Sequence, residues 1–307
     1  MDKLVPFLPT PLQLLSDDEI RRAGIRLYIK RDDLIHPTVS GNKWRKLKYN
    51  LADAIAGNHA TLLTFGGAYS NHLYATAAAG NALGFKTIGI VRGEDFESEL
   101  TPTLLFCREQ NMDLHFISRQ EYKRRNEAEY LNEISKKFKM PYLIPEGGTT
   151  GLALNGVGEM ATETQSQLGF RPAYYATAAG TGGTAAGILS TGSNVLAFSA
   201  LKGGGFLADD ISELLATSEN PGNLQLLTQY HFGGYAKWTP ELLSFMADFY
   251  ARHGIQLEQV YTAKMMYGLY DLMAKDFFKP GDTVVAVHTG GLQGLLVQKM
   301  TDNQSGT

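Results

Sequence analysis

A single cysteine, Cys107, in 307 residues leaves the chain unable to form an intrachain disulfide. Its fold must therefore be held by a core rather than by staples, and a reducing, cytoplasmic setting is expected. Cys107 sits in the amphipathic run Leu104-Leu105-Phe106-Cys107 and reads as a packing residue rather than a nucleophile. Charge of one sign is also missing. The 28 basic and 31 acidic residues are spread evenly and sum to −3, so no basic stripe is present to grip a phosphate backbone or an anionic lipid surface. Nucleic acid and membrane partners are not expected. The start, Met1 to Pro6, lacks the long apolar stretch of a secretory signal. Internal repeats and low-complexity linkers are absent too, and only the tail 302–307 is polar enough to be expected to fray.

What the chain has is 44% hydrophobic residues and 33 glycines, enough for two well-buried domains. Short apolar runs recur with helical stretches between them: Thr61 to Phe65, Thr87 to Val91, Leu114 to Ile117, Tyr142 to Ile144, Tyr174 to Thr177, Val195 to Ser199 and Thr283 to Val287. Strands spaced by helices predict βαβ units, hence an α/β fold with open, mostly parallel sheets flanked by helices. Several strands run into small-residue turns, Gly66 to Ser70, Gly180 to Thr184, Gly203 to Gly205 and Gly290-Gly291. Ligands of such sheets bind beyond the carboxyl ends of the strands, so the active site is expected among these turns. Gly180-Thr181-Gly182-Gly183-Thr184 makes the best phosphate cup, with consecutive N–H donors and two hydroxyls at a helix start. Read through Ala185 it also fits the dinucleotide pattern, but the next strand ends Ser199-Ala200-Leu201-Lys202 without the carboxylate that would hold a ribose, which leaves only an NADP reading in which Lys202 meets the extra phosphate.

Lys43 lies in Ser40-Gly41-Asn42-Lys43-Trp44-Arg45-Lys46-Leu47, after a strand-like stretch from Arg26 and at the start of a helical pattern that runs to about Ala56. A helix N-terminus disfavours a second positive charge and pushes an amine toward its neutral, nucleophilic form. A lysine after one strand, a Ser70-Asn71-His72 turn after the next and a glycine-threonine cup far downstream together suit pyridoxal phosphate. The lysine would form the Schiff base and the cup would neutralise the phosphate.

From Thr10-Pro11-Leu12 to Gly291 the chain resembles the pyridoxal-phosphate family of 1-aminocyclopropane-1-carboxylate (ACC) deaminases and D-cysteine desulfhydrases, which has the tryptophan-synthase-β-like fold. The segments that carry the resemblance are Ile29 to Leu34, Gly41-Asn42-Lys43 with Arg45-Lys46-Leu47, Ser70-Asn71-His72, Gly182-Gly183-Thr184, Gly234-Tyr235, Val260-Tyr261-Thr262 and His288-Thr289-Gly290-Gly291. The resemblance implies that Lys43 is the Schiff-base lysine and the base at the substrate α-carbon. It implies that Asn71 bonds the ring hydroxyl of the cofactor and that Gly180, Thr181, Gly182, Gly183 and Thr184 hold its phosphate. Ser70, Asn71 and His72 would receive the substrate carboxylate, and Tyr235 and Tyr261 would stand over the cofactor as hydroxyls that handle protons or attack the substrate, which makes Lys43, Ser70, Tyr235 and Tyr261 the implied catalytic set. It further implies a small amino-acid substrate, a homodimer, and a large cofactor-binding domain, 1–45 with 149–307, into which a small α/β domain, 46–148, is inserted.

The positions that depart within the family bear on the reaction. Strict ACC deaminases carry a glutamate after the downstream tyrosine and a leucine before the Gly-Gly pair, where this chain has Thr262 and Thr289, which the resemblance implies also bind the cofactor. A carboxylate at the ring nitrogen favours its protonated form and a strong electron sink, whereas a hydroxyl leaves a weaker one. A weaker sink suffices for α-proton removal followed by loss of a β-thiol, so the resemblance points to D-cysteine yielding pyruvate, sulfide and ammonia, with ACC deamination, or a pyridoxal-phosphate-binding protein with little activity, as the alternatives. The chain also looks trimmed between Lys202 and Gln229 and departs from the family around Tyr235.

Overall fold

The computed structural model describes residues 3–295 of the chain; the polar tail 302–307 lies outside them. Ten strands are present among the described residues: β1 (Leu12–Leu15), β2 (Arg26–Lys30), β3 (Thr61–Gly67), β4 (Lys86–Arg92), β5 (Met112–Ile117), β6 (Tyr142–Ile144), β7 (Tyr174–Ala179), β8 (Val195–Ser199), β9 (Leu224–Leu227) and β10 (Thr283–Val287). They form a six-stranded sheet in the order β1-β2-β10-β7-β8-β9 and a four-stranded sheet in the order β5-β4-β3-β6. Every pairing is parallel except that of β1 with β2. This is the α/β architecture with two mostly parallel, helix-flanked sheets that the alternation predicts.

Parallel sheets covered on both faces need strands that are apolar throughout. β8 and β10 meet this requirement, since every residue of both is buried. One face of the six-stranded sheet packs Leu27, Ile29, Phe198 and Val284 against Met265, Met266 and Leu269 of helix Thr262–Ala274. The other face packs Tyr175, Val195 and Val285 against Val157 and Met160 of helix Gly151–Leu168. Cys107 is fully buried beside Leu73 and Leu104, and burial pushes its thiol up to about 12, which keeps it inert.

Two strands were not anticipated. β1 and β9 share the tetrapeptide Leu-Gln-Leu-Leu and lie at opposite edges of the large sheet. The stretch from Arg26 is strand only as far as Lys30. After it Asp32–Leu34 coils into a 3₁₀ turn, in which Arg31 binds Asp33 at 2.7 Å and Asp32 accepts from Arg45 at 3.0 Å. Those ion pairs bring the end of β2 to the first turn of the helix Asn42–Ala56.

That helix has three sides with three duties. Leu47, Leu51 and Ala54 pack into the core under the four-stranded sheet with Leu62, Ala75 and Ile144. Arg45 and Lys30 meet Glu163 of helix Gly151–Leu168, at 3.1 and 2.5 Å. Lys43 and Lys46 face the cleft between the sheets. Among the described residues no helix is long and apolar enough to cross a membrane.

Candidate active site

The start of helix Asn42–Ala56 is shaped by Gly41, which adopts φ +62° and caps the helix without a side chain. A Cβ at Gly41 would come within 1.9 Å of the Thr289 carbonyl oxygen, so only glycine lets this helix start dock against the end of β10. The docked helix start aims Lys43 into a cleft of about 660 Å³. Its Nζ donates to Asn42 Oδ1 at 2.9 Å, and Asn42 Nδ2 donates to Thr184 Oγ1 at 2.9 Å, which ties the lysine to the glycine-rich turn. Loss of hydration lowers the Lys43 ammonium from 10.5 to about 8, against the opposing pull of the buried Glu258 carboxylate. The neutral amine is the reactive form, so covalent uptake of pyridoxal phosphate by the cofactor-free protein should accelerate as pH rises and level off above about 8. Absorbance-monitored mixing from pH 6 to 10 checks this, and a rate still climbing near the ordinary lysine pKa of about 10.4 would contradict it.

Helix Gly183–Leu189 follows β7 after the turn Gly180 to Gly182, and no side chain caps its start, so its first N–H groups are free to bind an anion. Around this start stand Thr181, Thr184, Thr149 and Lys46. Lys46 is only 2% exposed, and its ammonium donates to Thr149 Oγ1 at 2.7 Å and Thr181 Oγ1 at 3.4 Å. Among the described residues it has no carboxylate partner, and both burial and the Lys43 charge drive its pKa well down. A buried amine bonded only to hydroxyls, at a helix start, fits a delivered anion such as the phosphate of pyridoxal phosphate. Gly183 leaves room there, because a Cβ on it would lie 2.9 Å from Lys46 Nζ.

On the four-stranded sheet, β3 runs into helix Asn71–Leu83, whose N-cap Ser70 accepts from the N–H groups of His72 and Leu73, each at 3.2 Å. Ser70 and Asn71 border the cleft, and Asn71 Oδ1 accepts from Gln293 Nε2 at 2.5 Å. His72 reaches its edge while 2% exposed. The Thr64 hydroxyl donates to the Ile144 carbonyl at 2.7 Å, so it can only accept from His72 Nε2, also at 2.7 Å. His72 therefore carries its proton on Nε2 and leaves Nδ1 as a buried lone pair without a partner. Desolvation and the charges of Lys43 and Lys46 hold its pKa well below the usual histidine range, so it stays neutral.

Tyr235 and Tyr261 form the wall from the large sheet, their rings edge to face with centroids 6.1 Å apart. Burial raises the pKa of both hydroxyls, which keeps them protonated and able to donate. Lys264 staples the loop that carries Tyr235 by donating to the carbonyls of His231 and Gly234 at 2.9 and 2.8 Å. Glu258 fixes Tyr261 from below. Its carboxylate accepts from the N–H groups of Val260, Tyr261 and Thr262 at 2.7, 2.8 and 2.5 Å, while the Glu258 N–H donates to Thr262 Oγ1 at 2.9 Å.

The cleft thus gathers Lys43, Ser70, Asn71, His72, Gly180, Thr181, Gly182, Gly183, Thr184, Tyr235, Tyr261 and Thr289. Thr262 stands behind this wall, fully buried with its hydroxyl bonded to Glu258. The turn Gly203 to Gly205 does not border the cleft either, contrary to expectation, because it coils into the 3₁₀ turn that leads to helix Leu207–Leu214. His288 shapes the turn that holds Thr289, its Nε2–H donating to the Gln256 carbonyl at 2.7 Å while Nδ1 accepts from the Gly290 N–H at 3.2 Å. Lys46, Asn42 and Thr149 were not anticipated at the cup. Lys46 follows Lys43 by three residues and so shares its helix face, which is the signal that could have found it.

A family model described as "Pyridoxal-phosphate dependent enzyme" matches residues 5–290. The chain is 35% identical to the bifunctional D-cysteine desulfhydrase/1-aminocyclopropane-1-carboxylate deaminase of Arabidopsis thaliana, with 94% of this chain and 77% of that protein covered. It is 33% identical to a putative 1-aminocyclopropane-1-carboxylate deaminase of Pyrococcus furiosus, covering 95% and 92%, and 29% identical to the D-cysteine desulfhydrase of Klebsiella pneumoniae, covering 94% and 93%. Among solved structures an ACC deaminase homologue superposes with a TM-score of 0.83 at 29% identity, over 97% of this chain and 94% of that one. The chain therefore belongs to the ACC deaminase and D-cysteine desulfhydrase family of pyridoxal-phosphate enzymes.

Proposed function

We propose that the chain catalyses α,β-elimination on a small D-amino acid, with D-cysteine giving pyruvate, sulfide and ammonia. The observation that carries this reading is Thr289, a hydroxyl-bearing residue on the cleft wall beside the start of the Lys43 helix where strict ACC deaminases carry a leucine. Bound pyridoxal phosphate supplies an electron sink for the charge left at the substrate α-carbon. The residues supply the rest. Lys43, with its pKa of about 8, takes the α-proton. Ser70, Asn71 and the start of helix Asn71–Leu83 receive the carboxylate. Tyr235 and Tyr261, held protonated, donate hydrogen bonds over the reacting carbons. Lys46, Thr181 and Thr184 hold the phosphate. Closure of a small unit, 46–148, over the rest would exclude water from the carbanion.

ACC has no α-hydrogen, so its deamination must begin by opening the ring, a step that α-proton removal from D-cysteine does not need. Pyruvate release from D-cysteine and from ACC, measured in parallel with cofactor-saturated protein, separates the two readings. Release from D-cysteine alone is expected. Release mainly from ACC would overturn the role given to Thr289 and favour the deaminase activity that two of the relatives carry in their names.

A further inference from the structure

The cleft wall built by the four-stranded sheet carries one guanidinium that has no anionic partner among the described residues. Arg92 ends β4, borders the cleft with Ser70 and Tyr235, and lies over the Tyr122 ring at 5.6 Å. Among the described residues it pairs with no carboxylate, and its side chain donates no hydrogen bond. The neighbouring cations are already committed. Arg125 binds Glu146 at 2.5 Å and the Tyr122 carbonyl at 3.3 Å, and Glu146 also accepts from the Tyr122 hydroxyl at 2.8 Å. Lys46 serves the cup, and Asp210 and Glu213 stand exposed on the rim supplied by helix Leu207–Leu214. Gly67 lies directly beside the guanidinium, since a Cβ there would come 3.3 Å from Nη2, so bare backbone leaves the planar fork open to the cleft.

A planar fork in a partly desolvated cleft is matched to an oxyanion, and the start of helix Asn71–Leu83 already serves the α-carboxylate. A neutral thiol on the β-carbon is only a weak acceptor for such a fork, whereas an oxyanion there would take two of its N–H bonds. We propose that Arg92 receives a second anionic group, so that the site also processes an amino acid that carries an oxyanion such as a phosphate ester on its β-carbon. This rests on the elimination reading above. For a phosphate ester the α-proton passes to Lys43, the β-carbon–oxygen bond breaks and its electron pair leaves with phosphate, and water hydrolyses the remaining enamine to pyruvate and ammonia. Arg92 stabilises the charge that gathers on the departing group.

The test compares kcat/KM for pyruvate release from D-cysteine and from both antipodes of O-phosphoserine, for the holoenzyme and for Arg92→Gln. One antipode should be used, and the variant should lower its kcat/KM relative to that of D-cysteine by roughly 10- to 100-fold, mainly through KM, as for a lost charge-assisted hydrogen bond. Arg92→Lys should recover part of the loss. Equal losses on both substrates would assign Arg92 to the α-carboxylate and overturn the proposal. So would a holoenzyme that turns over D-cysteine but neither uses O-phosphoserine nor is competitively inhibited by it, and that result would leave the D-cysteine reading intact. If no substrate released pyruvate, the elimination reading would fall, and calorimetric titration of O-phosphoserine into the holoenzyme would decide the matter. Binding that disappears in Arg92→Gln would uphold the role of Arg92; absent or unchanged binding would overturn it.

Discussion

Lys43→Ala should release no detectable pyruvate and show no visible absorbance from a lysine-linked cofactor. The expected loss in kcat is at least ~10⁴-fold, the scale seen when a nucleophile that acts within a unit is removed. No neighbour can stand in for it. Lys46 lies deeper, its ammonium committed to Thr149 and Thr181 at the phosphate cup. Fold damage should be slight, because among the described residues Lys43 makes a single side-chain hydrogen bond, to the residue before it. The variant should therefore retain phosphate-dependent binding of pyridoxal phosphate, followed by equilibrium dialysis, while its absorbance and turnover vanish. Turnover above a hundredth of the wild-type rate would remove Lys43 from the reaction.

Glu163→Ala should destabilise the protein by about 3–5 kcal/mol, although Glu163 does not line the cleft. Glu163 is the shared acceptor for Lys30, Arg45 and Thr10. Lys30 and Arg45 are 0% and 1% exposed, so removing the carboxylate leaves two buried cations with Asp32 as the one remaining acidic partner among the described residues. The penalty is that of uncompensated charge rather than of one missing contact. A fall in the urea midpoint at unchanged slope would register it, whereas a shift below ~1 kcal/mol would show that the network contributes little. The pH dependence has a definite sign. Burial acts to raise the Glu163 pKa, but the bonds from Lys30 and the charge of Arg45 outweigh it, so the folded value lies below the ordinary 4.5. Its contribution is present above the unfolded pKa and is lost as pH falls through the folded one.

The strands that carry most of both sheets are legible because they are continuous apolar runs bounded by small residues, as in Val195–Ser199 and Thr283–Val287. The two Leu-Gln-Leu-Leu edges are not. Four residues with apolar side chains at the first, third and fourth positions suit a strand and a helical turn equally, and what decides them is pairing with β2 and β8 across long sequence separations. The site divides in the same way. Lys43, Ser70 and the turn from Gly180 to Thr184 are legible because helix starts and glycine runs declare their chemistry locally. Thr262 shows the limit. Its place in the order of residues puts it next to Tyr261, but the cap with Glu258 turns its hydroxyl away from the cleft, and no local pattern announces that cap. Arg92 is invisible for the converse reason: it ends a strand like any basic residue, and its lack of a partner emerges only when Arg125 and Glu146 have found each other.

Helix Asn42–Ala56 links these levels. Its inner face belongs to the core of the small sheet, its flank to the ion network of the large one, and its first turn to the cleft. Heritable change in Leu47, Leu51 or Ala54, residues that touch no ligand, therefore tilts the rod on which Lys43 and Lys46 are mounted. Divergence in what such an enzyme accepts can thus begin far from the cleft, through drift in an apolar interior that selection for solubility and folding alone would tolerate.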